Sequence, residues 1–310
     1  MILTLTLNPA IDRNVTADKL VFEDRAYILA SHESAGGRGI NASQVLHSFG
    51  TGTLAVAVTG GKSGKLFEEF LAQQGFPSEL IKIKHEIRTN ITIADRNGLA
   101  IKLNEKGPEL SAGEVAKVEK AICGKLAGVS WLMLCGSLPP GVPDDFYARL
   151  VRSANRRGVP VLVDADGDAL LAALEEKPAV VAPNQAEAER LLDRALITRA
   201  HFTDAARRIR EMGAQSVILS LGARGAVGVA ATGEVFEAIP PRIEAICPIG
   251  AGDALAAAFV WSLDGGSGFS EALKWGVAAG TASAMLPGVS FPTFSQASEI
   301  FARVEIRQAA

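Results

Sequence analysis

The chain has 310 residues, room for one large α/β domain or two ordinary ones, and 48% of them are hydrophobic with only 6% aromatic. Its net charge of -3 argues against a nucleic-acid surface or an anionic-membrane surface, so a protein of this kind that binds phosphates must gather its basic groups locally. Three scattered cysteines without a CxxC pair, and four histidines without ligand spacing, point away from a disulfide framework and a zinc site. No leader pattern opens the chain and no apolar run reaches the roughly 18 residues of a membrane span, so a cytoplasmic location is expected.

Residues 2–7 alternate with threonine and predict a strand, which Asn8-Pro9 ends because proline removes a ladder donor. Asp12 follows at its C-terminal end. Residues 19–32 read as extended segments with polar breaks. Residues 39–49 predict a helix with Ala42, Val45, Leu46 and Phe49 on one face and Gly50 as its stop. The turn before it, Gly36-Gly37-Arg38-Gly39, is anion-friendly but lacks the third glycine of a dinucleotide fingerprint. Residues 60–65 fail as a P-loop because Leu66 stands where the metal-binding hydroxyl belongs. Residues 89–95 and 99–103 predict a hairpin around Asp95-Arg96-Asn97-Gly98. With residues 19–32 it is expected to form a small sheet inserted into the larger domain.

Beyond Lys102 strands and helices alternate steadily. Ser111 and Glu114 make a capping box for a helix to about Lys125, and strands are predicted over 129–135, 159–164, 179–182 and 217–220. Closing helices are predicted over 269–286 and 293–304. Such alternation predicts a parallel sheet with helices on both faces and a site at the strands' carboxyl ends. Asp12, Asp164, Asn184, Glu187, Ser220 and Asp253 all fall at or just past such ends.

The stretch of greatest chemical interest is CPIGAGDALAAAF, residues 247–259. Gly250, Ala251 and Gly252 form a small-residue turn that feeds an all-round apolar helix. Its first N–H groups are left unpaired and favour an anion, most naturally a phosphate. Asp253 then stands on the first turn with a carboxylate able to accept a proton. A helix cap behind an ordinary turn would read the same way in isolation.

This stretch resembles the C-terminal signature of the ribokinase-like sugar kinases, in their phosphofructokinase B branch. Asn8-Pro9-Ala10-Ile11-Asp12, Gly36 to Asn41, Gly136 to Gly141, Pro183 to Glu187 and Ser220 to Gly225 resemble that family's other motifs, in its order and over nearly the whole chain. The likeness is greatest to 1-phosphofructokinases, tagatose-6-phosphate kinases and minor 6-phosphofructokinases. It implies an α/β, ribokinase-like three-layer fold: a central, mostly parallel sheet flanked by helices, with a β-sheet lid over the sugar. The core would comprise residues 1–11, 34–86 and 105–310, and the lid residues 12–33 and 87–104.

The resemblance further implies ATP- and Mg2+-dependent phosphoryl transfer to a phosphorylated ketohexose: fructose 1-phosphate first, with fructose 6-phosphate and tagatose 6-phosphate as alternatives. Asp253 would be the base, and the amides of Ala251, Gly252 and Asp253, at the Gly250 turn, would hold developing charge. Asp12, Gly37, Asn41 and Ser137 would contact the sugar. Arg38, Arg88 and Lys102 are candidates for its phosphate, Arg88 and Lys102 as lid ligands. Asn184, Ser220, Gly222, Arg224 and Gly225 would serve the nucleotide, and Glu187 would place Mg2+, often through water, with Asp166 as an acidic neighbour.

The chain departs from the family pattern at three points. Arg38 stands where phosphosugar relatives commonly have lysine, Ala182 stands where they have a cation, and Cys247-Pro248 replaces the usual start of the last motif. The resemblance therefore does not carry a monovalent-cation site over. A kinase of an unphosphorylated sugar or nucleoside, and a non-catalytic sugar-phosphate-binding regulator, are the competing readings. An exposed lid sheet would allow pairing with a second copy as a homodimer.

Overall fold

The computed structural model describes residues 1–21, 24–95 and 99–309. In chain order the elements are β1 (Ile2–Thr6), β2 (Ala10–Ala17), β3 (Ile28–Gly36), α1 (Arg38–Ser48), β4 (Thr53–Thr59), α2 (Gly61–Gln73), β5 (Ser78–Lys82), β6 (Arg88–Asp95), β7 (Ala100–Asn104), α3 (Ala112–Lys125), β8 (Trp131–Cys135) and α4 (Phe146–Asn155). There follow β9 (Val161–Asp164), α5 (Gly167–Glu175), β10 (Val180–Val181), α6 (Gln185–Leu192), α7 (Arg199–Glu211), β11 (Ser216–Ser220), β12 (Ala226–Val229), β13 (Val235–Ile239), α8 (Ala251–Asp264), α9 (Phe269–Ala284), α10 (Phe294–Phe301) and β14 (Glu305–Ala309).

Ten strands form one sheet in the order β14-β13-β12-β11-β10-β9-β8-β1-β4-β5. From β11 to β5 every pairing is parallel, because each strand is joined to the next through a helix. The strands β12, β13 and β14 add an antiparallel edge that periodicity after residue 220 does not predict. Their segments are four or five residues long, and the pairing that defines them is non-local. Two hydrophobic cores result. One packs α2 through α7 on one face, through Phe67, Val118, Leu150, Leu170 and Phe202. The other packs α1, α8, α9 and α10 on the opposite face, through Val45, Phe259, Leu273 and Ile300. Helix α8 has Ala254 to Val260 entirely buried, so its N-terminus is set by the core rather than by solvent.

A second sheet runs β3-β2-β6-β7. Its centre differs from the sequence expectation. Asp12 follows β1 as expected, but the residues around it, for which no strand is predicted, form one. Asp12 lies within β2, which pairs with β3 on one side and with β6 on the other. The hairpin partners β6 and β7 are antiparallel, and the turn residues Arg96 to Gly98 lie outside the described residues. The register puts Arg88, Asn90 and Thr92 of β6 on the same face as Asp12 of β2 and Lys102 and Asn104 of β7. Ile91, Ile93, Ile101 and Leu103 share the opposite face, where Ile101 and Leu103 are exposed.

Helix α3 opens on the capping box read from Ser111 and Glu114. Glu114 also accepts the Lys84 N–H at 2.6 Å, tying the helix to the segment after β5. Ser111→Ala should cost about 0.5–2 kcal/mol of stability in urea unfolding. Glu114→Ala should cost more, since it leaves the Lys84 donor without its acceptor as well. A smaller loss in Glu114→Ala than in Ser111→Ala would contradict this account.

Candidate active site

Helix α8 begins after Gly250, which holds φ 82 in the left-handed region. A Cβ there would also meet Phe291 at 2.9 Å, so the turn and the packing both require glycine. Three amides are expected at this turn, those of Ala251, Gly252 and Asp253. Ala251 N–H is engaged by Pro248 O at 3.3 Å, and among the described residues Gly252 and Asp253 N–H have no backbone partner. Two donors and the helix dipole therefore point out of the turn. The Asp253 carboxylate accepts Asn41 Nδ2 at 2.7 Å, so Asn41 of α1 orients this carboxylate. Burial foremost, and then the charge of Asp164, push Asp253 up to about 7, while Arg38 and Asn41 oppose the shift.

Arg38 opens α1 and its guanidinium joins two carboxylates from distant elements. Nη1 donates to Asp164 at 2.7 Å at the end of β9, and Nη2 donates to Glu187 at 2.9 Å in the first turn of α6. The opposite charge of Asp164, most of all, holds Arg38 well above the usual arginine range. The structure thus places Arg38, a candidate for the substrate's phosphate, in an ion-pair bridge. Asn184 caps α6, accepting Glu187 N–H while Glu187 Oε2 accepts the Asn184 N–H, both at 2.9 Å. Burial raises the Glu187 pKa, and Arg38 opposes it. Asp164 was placed at a strand end by the sequence but given no role. Its signal was that position, two residues before Asp166. Asp166 itself pairs with Arg190 at 3.3 Å.

Arg38, Asn41, Asp166 and Asp253 border a cleft of about 330 Å³ whose other wall is the second sheet, and Asp164 and Glu187 are bonded to Arg38 without lining it. Asp12 accepts Asn90 Nδ2 at 2.9 Å, and burial raises its pKa against the effects of Asn90 and Arg88. A Cβ on Gly36 would lie 2.0 Å from the Asp12 carboxylate, so the bare backbone of β3 makes room for it. Arg88 donates to the carbonyls of Asn8 at 3.0 Å and Glu105 at 3.1 Å, while its Nε is buried without a partner. Burial lowers its pKa. Ser137 Oγ accepts Asn8 Nδ2 at 3.1 Å, and Gly37 and Arg38 line the cleft beside it. Lys102 shares the face of Arg88 but pairs with Thr92, four residues further along, roughly 13 Å at strand rise. It is exposed and does not line the cleft. Asn8, Asn90 and Asn104 line it without having been singled out from sequence, and alternation from Arg88 along β6 would have flagged Asn90.

On the far side, Ser220 ends β11 and forms a bridge with Asn184, which brings the Gly222 to Gly225 turn beside α6. Gly222 and Gly225 hold positive φ, 59 and 91. Arg224 does not join the cleft. Its guanidinium stacks over Phe202 at 4.7 Å, bonds Gln185, and lines a separate cavity of about 260 Å³ with Arg199 and Glu237. The donor set around Arg38 suits a hard cation, since Asp164 and Glu187 offer carboxylate oxygens. Among the described residues no group of three or more His, Cys, Asp or Glu is placed to hold a metal on its own. Mg2+ is usually held by one or two carboxylates together with a substrate's phosphates, so the Asp164 and Glu187 carboxylates are a donor set of the kind it takes.

The family profile described as pfkB family carbohydrate kinase matches residues 6–295. A protein named 1-phosphofructokinase from Borreliella burgdorferi is 33% identical over 285 residues, covering 92% of both chains. The solved structure of phosphofructokinase-2 from Escherichia coli in complex with substrates and products superposes with a TM-score of 0.90 at 28% identity, covering 97% of this chain and 98% of that one. A possible 1-phosphofructokinase from Thermotoga maritima gives 0.90 at 26% identity, with both chains fully covered. A ribokinase from Arabidopsis thaliana, at 19% identity and a TM-score of 0.77, shares the fold. With the profile spanning nearly its whole length, the chain belongs to the pfkB family of carbohydrate kinases, which transfer a phosphoryl group to an alcohol.

Proposed function

We propose that this chain is a cytoplasmic kinase that uses MgATP to phosphorylate a hydroxyl of a phosphorylated ketohexose, fructose 1-phosphate foremost. The observation that carries the reading is the meeting, on one cleft, of a raised-pKa carboxylate beside unpaired helix amides with a sugar-sized polar wall. Asp253 takes the proton of the acceptor hydroxyl. A base with a pKa near working pH is well matched to that task. Gly252 and Asp253 N–H stabilise the charge that grows on the transferred phosphoryl group. Asn41 holds the base in orientation, Asp12 and Asn90 accept and donate to sugar hydroxyls, and Arg88 meets the sugar's own phosphate. Ser220, Gly222 and Gly225 border the nucleotide, and Asn184 supports them through α6. Mg2+ held by Glu187 and Asp164 would neutralise phosphate charge when bound.

One observation favours a second reading, a kinase of an unphosphorylated sugar. Arg38 is already paired with two carboxylates and Lys102 stands outside the cleft, which leaves Arg88 as the cation available to a substrate phosphate. ADP release from ATP and Mg2+ with fructose 1-phosphate, fructose 6-phosphate, tagatose 6-phosphate, fructose and ribose decides between them. Preference for a free sugar would overturn the first reading, and no sugar-dependent ADP release would overturn both.

The apolar outer face of the second sheet supports pairing of two copies through it, a homodimer by way of the lid. Sedimentation should give a dimer or larger for the natural chain and a monomer for Leu103→Asp. A monomeric natural chain would rule this pairing out.

Asp253→Asn should lower kcat by about 10²–10⁴-fold, since an amide cannot take the proton. The acid limb of the natural enzyme's kcat/KM profile should fall at about pH 7, as Asp253 must be ionised to act. A carboxyl with a raised folded pKa loses stability as pH climbs from its unfolded value, about 4, to its folded one. The stability of metal-free Asp253→Asn relative to wild type should therefore rise from about pH 4 to about pH 7 and level off above it. Near-normal kcat, or a flat relative stability, would exclude the assignment.

Arg88→Ala should raise KM for the sugar phosphate by roughly 10–150-fold, the equivalent of a charge-assisted hydrogen bond of about 1.5–3 kcal/mol. KM for ATP should hardly move, and the preference for phosphorylated over free sugar should narrow. Lys102→Ala should have the smaller effect, given its place on the ladder. An unchanged phosphate preference in Arg88→Ala would defeat the role given to it.

A further inference from the structure

Both carboxylate oxygens of Glu187 are engaged. Oε2 accepts the Asn184 N–H within the cap of α6, and Oε1 accepts Arg38 Nη2. The residue is only 4% exposed, so a newcomer competes with one of these two partners. The other arm of the same guanidinium lies on Asp164 Oδ1. An ion that approaches Glu187 must either open the helix cap or take Oε1 from Arg38. Taking Oε2 would strip the Asn184 N–H of its partner at the start of α6. Taking Oε1 costs one arm of a side chain that already borders the cleft and is a third exposed. A divalent cation also supplies the positive charge that the two carboxylates lose.

We propose that Arg38 is a displaceable counter-ion. Arg38 and the divalent metal occupy Glu187 Oε1 and Asp164 Oδ1 in alternation, and the arriving metal turns the Arg38 guanidinium out into the cleft. There it faces the space beside Gly136 and Ser137 as a free cation able to meet a phosphate. The metal thereby unlocks phosphate binding by the protein's own arginine, and Arg38 is a positioning residue for the metal and a ligand for the anion. The proposal rests on the kinase reading only for the identity of the metal and of the anion.

The test is made on the full chain without nucleotide or sugar, with Mn2+ as the probe and free Mn2+ counted by electron paramagnetic resonance. Arg38→Met removes the competing charge and should tighten Mn2+ binding by about tenfold or more, the scale of a charge-assisted bond released. Arg38→Lys, which has no fork to span both carboxylates, should fall between. Thermal unfolding gives a second readout. Metal-free Arg38→Met should melt below wild type, and Mn2+ should restore more of its melting temperature than it adds to wild type. In the natural chain Mn2+ should strengthen the binding of inorganic phosphate, and Arg38→Met should lose that gain. Unchanged or weaker Mn2+ binding in Arg38→Met would overturn the proposal, as would a melting temperature that Mn2+ does not restore, since either would leave Arg38 a structural bridge. A missing sugar-dependent ADP release in wild type bears on the kinase reading alone and leaves the Mn2+ titration interpretable.

Discussion

Four carboxylates and two guanidiniums gather at and behind one cleft, and the rest of the site follows from that excess of negative charge. Asp12, Asp164, Glu187 and Asp253 come from four elements, and Arg38 and Arg88 oppose them. Arg38 bonds Asp164 and Glu187 directly, while burial and the charge of Asp164 push Asp253 up to about 7. The same imbalance makes the cleft receptive to added cations.

The fold supplies this arrangement by directing strand ends and helix starts at one edge. Asp164 ends β9, Ser220 ends β11, Glu187 begins α6 and Arg38 begins α1. The buried helix α8, on the same face of the sheet as α1 and opposite to α6, aims Gly252 and Asp253 at the same edge. The chain passes from β1 to β2 in three intervening residues, 7–9, and so from the large sheet to the small one. Asn8 lies at that crossing and bonds Ser137 on one side and Lys106 on the other, while Arg88 holds its carbonyl. Movement of the second sheet against the first would therefore act on Arg88 and Asp12 together.

Local chemistry was legible in the sequence wherever it is local. The alternation of strands and helices, the capping boxes of Ser111 with Glu114 and of Asn184 with Glu187, and the Gly250 turn all depend on residues three or four apart, and each forms as its spacing indicates. The Gly36 to Asn41 turn likewise opens α1. What periodicity did not show is the antiparallel edge β12 to β14 and the central place of β2, since both are defined by partners far along the chain.

The sequence by itself determined which residue types are present and which turns bare their amides, because backbone torsion and helix capping act over one turn. Only the tertiary structure decided what each charge faces. Arg38 meets Asp164 and Glu187 across 126 and 149 residues, and Asn41 meets Asp253 across 212. Arg224, in the turn that resembles a nucleotide loop, packs on Phe202 in another cavity, and Lys102 shares a face with Arg88 without reaching the cleft. Electrostatic partnership depends on distance through space and on the loss of water, and neither is written in the order of the residues.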